Sequence, residues 1–158
     1  MNPIQTIKGW AKDIVDLALV LIAMALALVT SLLIQAFGDQ AEPQKLVTLI
    51  AEEAAKPDQP GALIFFVVMA VAVAPVAEEI LFRGILYPAI KQIGYPNVAA
   101  IGTAILFALF HVNLLTFASL TAVALGLIAL YEFTDNLLAP IVAHAVFNAS
   151  NLTMLFWQ

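Results

Sequence analysis

Hydrophobic residues in this chain come in long blocks separated by short polar breaks, with little strict alternation. Such blocks read as helices that are apolar on most sides, not as half-buried strands. Five can be drawn: from about Ile14 to Phe37, Gly61 to Ile90, Asn97 to His111, Leu114 to Tyr131 and Leu137 to Trp157. The first is long enough to cross a bilayer, which takes about 20 residues, and several of the others lie near the lower limit. The second is interrupted by Pro75 and by the charged run "AEEILFRG". No repeat of about 20 to 50 residues is visible. The pattern predicts an all-α fold: a polytopic transmembrane helix bundle of about five hydrophobic segments.

Composition agrees with the pattern. The 158 residues are 63% hydrophobic and 11% charged, with a mean hydropathy of +1.01. A soluble domain is nearer about half apolar and a quarter charged. The net charge of -5, from eleven acids and six bases, argues against a nucleic-acid partner. The absence of cysteine excludes disulfides and thiol chemistry.

Two regions follow. Residues 1–60 read as a signal-anchor helix plus a polar loop, and residues 61–158 as the membrane core. Lys8 and Lys12 precede an apolar run longer than the roughly 7 to 15 residues of a cleavable signal. Counting Lys8, Lys12 and Lys91 on one side against Lys45 and Lys56 on the other leans the N-terminus towards the cytoplasm. In the loop, "AEEAAKPDQPG" places Glu52 and Lys56 four apart, which predicts a short solvated helix stopped by Pro57, Pro60 and Gly61.

From Gly61 to Tyr131 the only charged residues are Glu78, Glu79, Arg83 and Lys91. Lys91 can snorkel from a helix end. The histidines, His111 and His144, also fall in apolar segments. Ionisable groups at membrane depth are costly and generally mark function. Glu79 and Arg83 are four apart and can pair, whereas Glu78 is about 100° further round. Counting residues from the helix ends, Glu78 and His111 lie roughly 20 and 21 Å from one membrane face, His144 and Asn148 roughly 12 and 18 Å. Polar groups from three helices therefore share one expected layer. Pro75 removes a backbone donor and frees a carbonyl, expected at Val71, four residues earlier.

A carboxylate, two imidazoles and a carboxamide in a secluded layer suit hydrolysis. Glu78 can act as a general base on water, with a histidine assisting. A histidine and an asparagine offer two neutral donors to an oxyanion. Neither G-x-S-x-G nor H-E-x-x-H occurs. Glu78, His111 and His144 are also an acceptable zinc shell. A third reading makes the layer interhelical glue.

The residues "EEILFR", "FALFH" and "HAVFN" occur in order and resemble the E-E-x-x-x-R, F-x-x-x-H and H-x-x-x-N/D motifs of the CPBP family (CAAX protease and bacteriocin-processing, or Abi). The resemblance covers about residues 62 to 152. It implies an intramembrane glutamic endopeptidase without a metal cofactor. Glu78 and His111 then match the water-activating pair, His144 and Asn148 the oxyanion hole, and Glu79, Arg83 and Phe107 supporting positions. The implied setting is a bacterial inner membrane, with a membrane-associated peptide or protein as substrate. Family members often have six to eight segments, so a homo-oligomer or a partner would supply the missing helices, or the cavity is more open. Some relatives are described as immunity or scaffold proteins, which keeps a non-proteolytic role as the alternative.

Overall fold

The computed structural model describes residues 45–56, 60–113 and 116–156. The expected segment from Ile14 to Phe37 lies outside the described residues. Five helices are described: α1 Lys45–Ala54, α2 Pro60–Gln92, α3 Pro96–Phe110, α4 Phe117–Thr134 and α5 Leu138–Phe156. No strand occurs among the described residues. The fold is the expected helical bundle. Two helices, the 33-residue α2 and the 18-residue α4, are long and apolar enough to cross a membrane. At 1.5 Å per residue, α3 reaches only about 22 Å.

Local chemistry sets the boundaries. Pro96 opens α3 in its first turn, where its missing N–H costs nothing. Gly94 at φ 99° reverses the chain after α2, a conformation open to glycine. Asp135 closes α4 in the left-handed region, with its N–H donating to Tyr131 O at 2.9 Å. Asn136 Oδ1 then accepts the Leu138 N–H at 2.9 Å and starts α5.

Helix α2 is not uniform. It widens to π turns at Met69–Val73 and again at Ile80–Leu86. Between them, Ala74–Glu79 is a regular α segment that carries Pro75 and both glutamates. Such wider turns are rare and cluster at functional sites.

The second half of α2 packs on α3 and α4 through Phe82, Tyr87, Ala99, Ala104, Phe107, Ala108, Leu120, Ala124 and Ile128. Helix α5 closes on α4 through Ala143, Leu127 and Leu130. The loop helix α1 departs from expectation. It is not wholly solvated, because Ile50 is fully buried beside Ala70 and Leu152. Its ion pair also differs: Lys56 Nζ meets Glu53, not Glu52, at 2.7 Å. The bond and charge of Glu53 raise the Lys56 ammonium above its ordinary pKa.

Large apolar side chains stay exposed along the outside: Ile64, Phe65 and Val68 on α2, and Val98, Ile101 and Ile105 on α3. A surface like this suits lipid, whose tails replace a protein partner. At one end of the bundle Lys91 donates to Glu132 Oε1 at 2.6 Å and lies 5.6 Å from the Tyr87 ring centre. This exposed clamp joins the ends of α2 and α4, as expected of a lysine at a helix end.

Candidate active site

The site is built on α2. Glu79 and Arg83 are both essentially fully buried and pair at 2.8 Å, one helical turn apart. Arg83 does more than neutralise Glu79. Its second terminal nitrogen donates to Ala124 O of α4 at 2.9 Å. Its guanidinium also lies 5.0 Å from the centre of the Phe107 ring. One side chain therefore ties α2 to both α3 and α4. The small side chain of Ala124, itself fully buried, lets Arg83 approach the backbone that closely.

Glu79 has a second partner. Its Oε1, already bound by Arg83, lies 2.9 Å from His144 Nδ1 on α5. The other ring nitrogen, Nε2, faces Glu78 Oε2 at 3.7 Å. The imidazole thus bridges two adjacent carboxylates that an ideal helix would separate by about 100°. Glu79 was expected to pair with Arg83 alone, leaving Glu78 to face the histidines. Instead both acids reach His144. Sequence spacing sees pairs within one helix, whereas this contact depends on where α5 lies.

The bridge constrains proton placement. In a neutral His144 that donates from Nδ1 to Glu79, Nε2 carries no proton and can only accept. His144 donates to an oxyanion from Nε2 only as the imidazolium. Glu78 is 31% exposed, and its Oε2, like Glu79 Oε2 and Arg83 Nε, is buried with no hydrogen-bond partner among the described residues. An unpaired buried carboxylate oxygen is uncommon and calls for a role.

Asn148 lies one turn beyond His144. Its Nδ2 donates to Ala70 O on α2 at 2.8 Å. The carbonyl that Asn148 reaches is Ala70 O, one residue before the expected Val71. The π register gives the reason: the Ala74 N–H goes back five residues to Met69 O, and the next nitrogen belongs to Pro75. Helix α5 therefore meets α2 at two levels, His144 at Glu79 and Asn148 at Ala70.

His111 caps α3. Its Nδ1 lies 2.8 Å from Phe107 O, and a carbonyl can only accept, so Nδ1 carries the proton. Its ring centre is 4.8 Å from that of Phe107, which in turn lies 5.6 Å from the His144 ring. The buried Phe107 thus contacts both histidines and also packs against Phe82 at 5.3 Å. Immediately after His111, Val112 sits at φ 49° and is 90% exposed. A β-branched residue there is strained by about 1–3 kcal/mol. Val112→Gly should therefore raise stability by about 1 kcal/mol, after the greater chain entropy of glycine is subtracted. A thermal melt in detergent checks this, and a lowered midpoint would contradict it.

The chain also matches a known family. A family profile described as type II CAAX prenyl endopeptidase, Rce1-like, matches residues 60–150. The chain belongs to this Rce1-like family. The matched stretch holds every residue of the buried cluster and runs from the start of α2 through most of α5. No curated protein and no solved structure matches the chain. As an Rce1-like protein with lipid-suited outer surfaces, it is an integral membrane protein of a CAAX-type protease family.

Proposed function

We propose that this Rce1-like chain is an intramembrane endopeptidase that hydrolyses a peptide bond of a membrane-associated, prenylated protein or peptide. The observation that carries the reading is His144 held between Glu79 and Glu78 inside an apolar bundle, with one Glu78 oxygen unpaired.

Glu78 takes a proton from water, and the water oxygen attacks the scissile carbonyl carbon. His111, with its proton on Nδ1, offers Nε2 to orient the same water. The oxyanion that forms is held by Asn148 and by the imidazolium of His144. Collapse breaks the C–N bond, and the proton on Glu78 passes to the leaving amine. Glu79 and Arg83 hold His144 in place. The lipid bilayer supplies the substrate by lateral diffusion. We place the protein in a bacterial inner membrane with the N-terminus cytoplasmic. A second copy or a partner would complete the bundle and takes no part in these steps.

The mechanism is proposed without a metal. Among the described residues, no group of three His, Cys, Asp or Glu is placed to hold one. The test uses purified protein in liposomes with a fluorescent prenylated peptide. Cleavage should occur, persist in chelator and be lost in His111→Ala. Stoichiometric zinc that disappears in His111→Ala and His144→Ala would overturn the metal-free scheme. Failure of the wild type to cleave any prenylated peptide would overturn the substrate class.

A further inference from the structure

We propose that Pro75 is a positioning residue, which holds the Ala70 carbonyl open so that it orients the carboxamide of Asn148. The inference rests on the reading of Asn148 as an oxyanion donor and deepens it. A helical carbonyl is normally satisfied by its own backbone. In the first π turn of α2 the Ala74 N–H donates to Met69 O, five residues back. In that register the donor for Ala70 O would be residue 75, and proline has no N–H. Asn148 Nδ2 supplies the missing donor at 2.8 Å.

This single bond settles several things. It decides which end of the carboxamide faces α2, since only the NH2 group can donate to a carbonyl. It spends one of the two Nδ2 hydrogens and leaves the second for a ligand. It also fixes the side chain from outside its own helix, joining α5 to α2 one turn from His144. Pro75 is itself fully buried, whereas Asn148 is half-buried. Without the proline, Ala74 N–H or a new N–H at residue 75 can close on Ala70 O. Asn148 then competes with backbone for its anchor and loses its orientation.

The test compares wild type, Pro75→Ala, Asn148→Ala and the double variant in detergent micelles and liposomes. Pro75→Ala removes a proline from a helix interior, so the variant is expected to fold. The first readout is hydrogen exchange of the Asn148 side-chain amide by NMR, assigned by its absence in Asn148→Ala. Protection in wild type should be lost in Pro75→Ala. The second readout is cleavage of the prenylated peptide. Pro75→Ala should lower kcat about tenfold with little change in KM, since a misplaced oxyanion donor loses only transition-state binding. The double variant should be no slower than Asn148→Ala alone. A merely structural proline predicts additive losses, or no loss of kcat at all. Persistent protection of the Asn148 amide in Pro75→Ala would overturn the proposal, and so would unchanged kcat once protection is gone. If the wild type does not cleave, the endopeptidase reading fails, and the exchange readout by itself decides whether Pro75 orients Asn148.

Discussion

Glu78→Gln should lower the cleavage rate by about 10³-fold, near 4 kcal/mol of barrier, while the protein still folds and inserts. Glutamine keeps the shape of the side chain and can still hydrogen-bond. It cannot accept a proton from water, so only the base is removed. The cost to folding should be small, because Glu78 is 31% exposed and its Oε2 makes no hydrogen bond that the fold depends on. The nearest partner, His144 Nε2, lies at 3.7 Å, too far for a strong bond. Cleavage of the prenylated peptide in liposomes is the readout, with a melting curve as the control. Near wild-type turnover in Glu78→Gln would end the glutamate mechanism. A biological phenotype that survives the substitution would favour a scaffold or immunity role instead.

The largest effect on stability is expected at Arg83. Arg83→Leu should cost about 3–5 kcal/mol, because it leaves the Glu79 carboxylate buried without its main counter-charge. Glu79 is fully buried, so water cannot replace the lost partner. The substitution also abandons Ala124 O and removes the cation from the face of Phe107. Arg83→Lys should fall between, since an ammonium on a flexible stem cannot span Glu79 and Ala124 O with the fixed geometry of a guanidinium. Combining Glu79→Gln with Arg83→Leu should recover part of the loss by removing the stranded charge. Unfolding in detergent measures all three. A loss below about 1 kcal/mol in Arg83→Leu would mean that the buried pair is screened as surface pairs are.

Much of the core was legible in the sequence because membrane helices are written in long apolar blocks. Segments 61–90, 97–111, 114–131 and 137–157 correspond to α2 to α5 within a few residues. Proline, glycine and asparagine marked most of the boundaries, as at Pro96, Gly94 and Asn136. The Glu79–Arg83 pair was readable from its four-residue spacing. Its cross-helix bond to Ala124 was not, since one backbone carbonyl carries no sequence signal. The docking of α1 was hidden too. A single buried isoleucine, Ile50, among the charges of "AEEAAK" and its neighbours does not look like a core residue.

The sequence by itself determined the membrane class, the order of the helices and the short set of polar residues that an apolar chain does not carry idly. It could do so because hydrophobic periodicity and local spacing act within one helix. The tertiary structure alone decided which of those residues meet. It set His144 across both glutamates, put the Asn148 carboxamide on Ala70 O and brought both histidines against Phe107. Each of these depends on a change of helical register or on the approach of a second helix. A one-residue widening of α2 shifts every later side chain around the axis, and no pairwise spacing in an ideal helix reports it.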